Sequence, residues 1–329
     1  MKTIRLVVFA FIGISIIGAG IFAVTQSADK KPPAPSAPIA DKADKDEDII
    51  INAEDAPLLI EGEDISSSET AESVTDNIET SGETEEKAEE TAKIVLGDIA
   101  YKNIEELSAE AVTWGPGVNF NEDNQPAACV TLQEKYGNLG AIFLHGDNRI
   151  YLTFDLGYES GFTNDILDTL KENGVKATFF LTGSYAKNQQ EIVKRIISEG
   201  HTVGNHSNTH PDITTLSAEE AAEEIMAVHK VVKENYGYES YLFRFPAGTF
   251  SEKTLAIAAE NGYHSVFWSF AYNDWDNANQ PDRAEALQKL CDRLHGGAVY
   301  LLHPMETNSL ILGDFIKAAK DAGYEIGIM

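Results

Sequence analysis

The sequence predicts an α/β fold: a distorted (β/α) barrel of about seven parallel strands, preceded by an N-terminal apolar segment and a disordered acidic linker. Three observations carry this. From residue 150 onward, short β-rich runs alternate with helix-length stretches, and strands spaced that way require parallel crossovers. The number of such runs suits a closed or nearly closed barrel, with a doubly wound open sheet as the alternative. Ahead of them the composition changes twice, near residues 28 and 96, which divides the chain into 1–27, 28–95, a lead-in at 96–148 and a main domain at 149–329.

In residues 1–27, Lys2 and Arg5 precede an uncharged apolar run over 6–24. That is the layout of an export signal or a membrane anchor, and the run approaches the ~20 residues that span a bilayer as a helix. Either outcome places the remainder outside the cytoplasm, membrane-anchored or secreted. Residues 28–94 then hold 20 Asp/Glu against 6 Lys/Arg, half of the formal charge of −28. With few aromatics and little apolar surface, this stretch cannot offset the entropy of folding and is expected to be a solvated tether. The acidic surface excludes a role that follows nucleic-acid phosphates. Cys129 and Cys291 are too few for a disulfide scaffold and are expected to be free thiols. A monomer is expected.

The lead-in, with Trp114, Gly115, Pro116 and Gly117 and then Gln125-Pro126, is expected to be loop-rich and packed on the barrel. Strands are predicted at 150–154, 177–182, 201–204, 241–245, 264–269, 298–302 and 324–328. The helices between them are predicted at 164–173 with Thr163 as N-cap, 190–199, 218–235 entered by Ser217, 252–261 entered by Ser251, 283–294, and 310–322. Gly200, Gly237, Gly262 and Gly323 supply stops.

Polar residues fall where strands end. Asp155 closes the first strand and is followed by Gly157. His206 and His210 follow the third, in VGNHSNTHP. Arg244 lies late in the fourth, in LFRFPAG. Asp274 and Trp275 follow the fifth, and His303 ends the sixth. In a parallel barrel these ends share one face, where active sites lie. Each residue also has an ordinary reading: a turn-bonding Asp155, a structural ion pair for Arg244, a surface turn at Asp274. An H-x-x-x-H pair is weak alone, yet two imidazoles can hold one divalent cation, with zinc the default for nitrogen ligands. The other histidines, His145, His201, His229, His264 and His295, carry no such pattern.

As an ordered set, YLTFDLG, HSNTH, RFPAG, Asp274-Trp275 and LLH resemble the motifs of the polysaccharide deacetylases, the NodB-homology group or carbohydrate esterase family 4. The resemblance runs from about residue 150 to the C-terminus. The flanks, FDLGYESGFTNDILDTLKENGVKATFFLTG and GHTVGNHSNTHPD among them, look like the delta-lactam-biosynthetic de-N-acetylase branch, whose members act on muramic acid in peptidoglycan during spore cortex formation. The resemblance implies Asp155 as general base, His303 as general acid held by Asp274, and Arg244 orienting Asp155. It further implies His206 and His210 as metal ligands, and Trp275, Ala247 and Gly248 at the substrate and oxyanion sites. One departure stands out: the family's usual third metal ligand is replaced by Leu156, so weak metal binding is expected.

The expected function is therefore hydrolytic de-N-acetylation of N-acetylmuramic acid in peptidoglycan, with glycan strands as partner. The alternatives are a deacetylase of peptidoglycan N-acetylglucosamine or a chitin-like glycan, and, in another class, an inactive cell-wall-binding barrel.

Overall fold

The computed structural model describes residues 104–329; the expected anchor at 1–27 and linker at 28–95 lie outside the described residues. Ten strands follow in order: β1 (Val112–Thr113), β2 (Ala141–Ile142), β3 (Ile150–Leu156), β4 (Thr178–Leu181), β5 (Thr202–Asn205), β6 (Leu242–Phe243), β7 (Thr249–Phe250), β8 (His264–Val266), β9 (Val299–Leu302) and β10 (Ile326–Gly327). Eight α-helices separate them: α1 (Ala127–Tyr136), α2 (Thr163–Glu172), α3 (Gly183–Asn188), α4 (Gln190–Ser198), α5 (Ala218–Tyr236), α6 (Glu252–Glu260), α7 (Arg283–Asp292) and α8 (Glu306–Asp321).

The predicted barrel is present. A parallel sheet runs β3-β4-β5-β6-β8-β2, and β9 pairs with the other edge of β3. Residues past β8 bend across to β9 through a parallel bridge between Phe270 and Tyr300, which brings the curled sheet round on itself. β10 pairs only with the first two residues of β3, leaving the last four to β4.

Strand alternation decides what enters the barrel. Leu152, Phe154 and Leu156 of β3 pack outward in a core with Ile166 and Leu170 of α2, Val193 and Ile196 of α4, and Phe315 of α8. Tyr151 belongs to an interior cluster with Phe180, Leu242, Val266 and Val299. Asp155 shares the parity of Tyr151 and so leaves the sheet on the inner side, at the C-terminal end of β3. A third cluster, with Trp114, Phe143, Phe245, Phe250, Phe267 and Trp268, joins the lead-in to the barrel, and the rings of Phe143 and Phe267 stack at 4.3 Å.

Several boundaries differ from expectation. The lead-in is less loop-rich than predicted: it contains α1, an antiparallel pair of β1 with β7, and β2 docked in parallel on β8. Its apolar residues are spaced irregularly, so periodicity gave no warning. Thr163 does not cap α2; it is the first helical residue, and its hydroxyl donates to Glu159 Oε2 at 2.7 Å. α8 starts at Glu306 rather than 310, and α3 was not foreseen. Ser217 and Ser251 do cap their helices, each in a reciprocal capping box. Both cysteines are free. Among the described residues no helix is long and apolar enough to cross a membrane.

Candidate active site

Arg244 is the fixed point of the site. It is fully buried, and its side chain donates three ways: Nη1 to Asp155 Oδ1 at 2.8 Å, Nε to the Val266 carbonyl at 3.1 Å and Nη2 to the Phe267 carbonyl at 3.4 Å. Its guanidinium lies over the Phe180 ring at 4.1 Å. That ring sits against Gly204 of the neighbouring strand, where a Cβ would come within 2.4 Å of it. Sequence thus sets the platform: a glycine admits the ring, the ring supports the cation, and the cation holds the carboxylate. Burial opposes ionisation of Asp155, but the Arg244 guanidinium, with His303 in support, overcomes it and holds the carboxyl below its usual range. It is a rigid anion at the barrel mouth.

His206 packs against the same carboxylate, Nε2 to Asp155 Oδ2 at 3.5 Å. Its Nδ1–H donates to the Arg244 carbonyl at 2.9 Å. Burial pushes its pKa down to about 4, so the ring is neutral and Nε2 carries a lone pair. Two lone-pair atoms therefore face one another, an arrangement that a cation or a proton relieves. The His210 ring stands 4.8 Å from that of His206, nearly perpendicular to it. His210 and Ser207 both have left-handed backbones, with φ of 61° and 63°. The loop is pinned by Glu224 of α5, which accepts from Thr209 N and Thr209 Oγ1 at 2.8 Å each.

The second half of the site is His303 and Asp274. His303 Nδ1–H donates to Asp274 Oδ1 and the His303 backbone N–H to Asp274 Oδ2, both at 2.8 Å. Asp274 is 1% exposed, whereas the His303 side chain keeps 23% of its surface open. Burial disfavours the imidazolium, but the adjacent Asp274 charge and hydrogen bond outweigh it and raise the pKa, with Asp155 assisting and Arg244 opposing. A low-pKa carboxylate and a high-pKa imidazole, each within the other's field, form the acid–base pairing that hydrolysis requires.

Of the remaining predicted residues, Trp275 is 54% exposed beside Asp274, and its carbonyl accepts from Tyr158 Oη at 3.3 Å. Ala247 is exposed in a left-handed conformation, φ 52° and ψ 11°. Gly248 is buried, its N–H donates to the Phe245 carbonyl, and its carbonyl accepts from Trp114 N. Its φ of 71° and a would-be Cβ only 2.6 Å from Trp268 make it a packing glycine. Sequence reasoning missed Tyr158, Glu224, Tyr272 and Asn308. Asn308 carries the most direct signal, a polar residue lying five positions after His303 and just ahead of the helix predicted at 310–322.

A parallel α/β barrel that joins a buried Asp–Arg pair to an Asp–His pair at the strand C-termini defines a hydrolase. Residues 145–266 match the family described as polysaccharide deacetylase. The chain is 39% identical over 226 residues to the peptidoglycan-N-acetylmuramic acid deacetylase PdaA of Bacillus subtilis, covering 67% of this chain and 85% of that protein. The solved structure of Bacillus subtilis PdaA, a family 4 carbohydrate esterase, matches with a TM-score of 0.63 at 37% identity, over 67% of this chain and 95% of that one. The peptidoglycan-N-acetylglucosamine deacetylase PgdA of Listeria monocytogenes is 36% identical over 180 residues, 54% of this chain and 37% of its own length. This chain belongs to the polysaccharide deacetylase family, carbohydrate esterase family 4, hydrolases that remove N-acetyl groups.

Family members are metalloenzymes. Leu156 is fully buried in the sheet–helix core and offers nothing, and among the described residues no group of three or more His, Cys, Asp or Glu is placed to hold a metal. The facing lone pairs at His206 and the neighbouring His210 ring fit a cation held by two imidazoles, with water completing its shell.

Proposed function

We propose that this protein removes the acetyl group from N-acetylmuramic acid in peptidoglycan, releasing acetate and a free amino sugar that can close to a muramic delta-lactam, as in spore cortex. The observation that carries the hydrolytic reading is the convergence of Asp155 and His303, each locked by its own buried partner, Arg244 and Asp274. The choice of muramic acid is supported by likeness to PdaA, of which this chain spans 85%, against 37% of PgdA. Deacetylation of peptidoglycan N-acetylglucosamine remains the alternative that likeness to PgdA favours.

Asp155 takes a proton from the water that attacks the acetamide carbonyl. Arg244 keeps that carboxylate ionised and aimed. His303, with Nδ1 committed to Asp274, gives the proton on its other nitrogen to the departing amine. The backbone N–H of Ala247, in its exposed left-handed turn, donates to the developing oxyanion. Trp275 offers a flat face for the sugar. A divalent cation held by His206 and His210, zinc by its nitrogen donors, would supply Lewis-acid polarisation of the acetamide oxygen. The protein acts as a monomer outside the cytoplasm on glycan strands. Its residues 1–27 serve as anchor or export signal, residues 28–95 give it reach, and the lead-in and domain over 96–329 do the chemistry.

The test is to incubate the protein with purified peptidoglycan, measure acetate, and identify the freed sugar by mass spectrometry. Acetate with free muramic amine or its lactam is expected, and Asp155→Asn should abolish it. Acetate from glucosamine units alone would overturn the muramic assignment. No acetate with or without added zinc would move the protein to the class of wall-binding barrels.

A further inference from the structure

Behind the His303–Asp274 pair lies a second layer that the hydrolytic reading does not use. Asn308, in the first turn of α8, is 1% exposed and makes three hydrogen bonds. Its Nδ2 donates to Asp274 Oδ2 at 2.6 Å and to the His303 carbonyl at 2.8 Å. Its Oδ1 accepts from Tyr272 Oη at 2.5 Å. The tyrosine hydroxyl is a donor throughout the working pH range, since burial and the Asp274 charge raise its pKa. A donor on the Oδ1 side leaves the amide one orientation, NH2 toward Asp274. Asp274 Oδ2 therefore receives two N–H groups, from Asn308 and the His303 backbone, and its Oδ1 is left to His303 Nδ1.

The same turn is tied to the loop that carries Asp274. Thr307 N donates to Gln280 Oε1 at 3.2 Å and Thr307 Oγ1 to the Pro281 carbonyl at 3.0 Å. Gln280 Nε2 returns to the carbonyls of Asp274 and Asp276, at 2.8 and 2.9 Å. The start of α8, the loop over 272–281 and the end of β9 are thus tied together by hydrogen bonds.

We infer that Asn308, oriented by Tyr272, is a positioning residue for the acid of this reaction: it fixes the Asp274 carboxylate so that His303 presents its proton to the leaving amine. The inference rests on the assignment of His303 as that acid, and its physical content is separable from it. Asn308 touches no substrate. It acts by holding Asp274 Oδ2 and the His303 carbonyl, which leaves Asp274 Oδ1 aimed at His303 Nδ1 and so sets the tautomer and tilt of the imidazole. The charged groups that bear on His303 are Asp274, Asp155 and Arg244, and of these only Asp274 is held by Asn308.

The experiment compares the full-length protein with Asn308→Leu and the milder Tyr272→Phe, after thermal unfolding has shown that each is folded. Titration of the His303 imidazole by heteronuclear NMR needs no substrate. Its pKa should fall in Asn308→Leu, and by less in Tyr272→Phe, as the carboxylate loosens. With peptidoglycan, kcat should fall about 10- to 100-fold in Asn308→Leu with KM little changed. The alkaline limb of the rate profile should move to lower pH in step with the NMR value. An unchanged His303 titration in the two folded variants would overturn the inference. A moved titration in a protein whose wild type releases no acetate would uphold the positioning and sink the activity instead. If Tyr272→Phe unfolds, Asn308→Leu decides; if Asn308→Leu unfolds, Tyr272→Phe does.

Discussion

Replacing Arg244 by methionine keeps much of the side-chain volume and deletes the charge. In the wild type the guanidinium makes its 2.8 Å contact to Asp155 with both groups largely withdrawn from bulk water, the two side chains being 0% and 8% exposed. After the change the side chain in contact with Asp155 is His206 at 3.5 Å, which is neutral and offers a lone pair rather than a proton, and the more distant field of His303 is all that favours the carboxylate. A buried carboxylate stripped of its counter-ion costs about 3–5 kcal/mol. The Val266 and Phe267 carbonyls also lose a donor, adding about 1 kcal/mol each if no water enters. Urea unfolding at pH 7, followed by tryptophan fluorescence, should therefore show Arg244→Met destabilised by about 5–7 kcal/mol. The decisive variant is the double one. Asp155→Asn removes the stranded charge, so Asp155→Asn/Arg244→Met should lose at least ~2 kcal/mol less than the sum of the single losses. Additivity within ~0.5 kcal/mol would refute the account of Arg244 as the electrostatic partner of Asp155 and leave it a packing residue.

Three further outcomes follow from the geometry. His303 has a folded pKa raised by Asp274, so its charge stabilises the fold fully below the unfolded value of ~6.5 and that contribution is lost as pH rises through the folded pKa; the alkaline limb of kcat/KM should lie above ~6.5 and shift downward in Asp274→Asn, and an unmoved limb would remove His303 as the acid. Zinc, titrated calorimetrically into the protein, should bind at one site, and His206→Ala or His210→Ala should weaken it by at least about tenfold; equal binding in both variants would place the metal elsewhere. Gly204→Ala should lower stability by about 1–3 kcal/mol, because the new methyl meets the ring of Phe180 that underlies Arg244; a thermal midpoint equal to wild type would show that the ring has room to move.

Sequence by itself determined the rhythm of the barrel and the letters of the site. The run over 150–154, the helix entries at Ser217 and Ser251, and the polar residues at successive strand ends were legible because period and capping are local properties. A local pattern also explains the misses: Thr163 reads as a cap until Glu159 is seen to take its hydroxyl, and α1 has no clean apolar stripe to announce it. What only the tertiary structure decided was partnership. Gly248 and Ala247 are neighbours in one motif, yet the fold buries the first beneath Trp268 and exposes the second. Asn308 gains its meaning from Tyr272 and Asp274, 36 and 34 residues away in the chain. Hydrogen-bond direction and burial belong to pairs of groups brought together by packing, and no one-dimensional period encodes them.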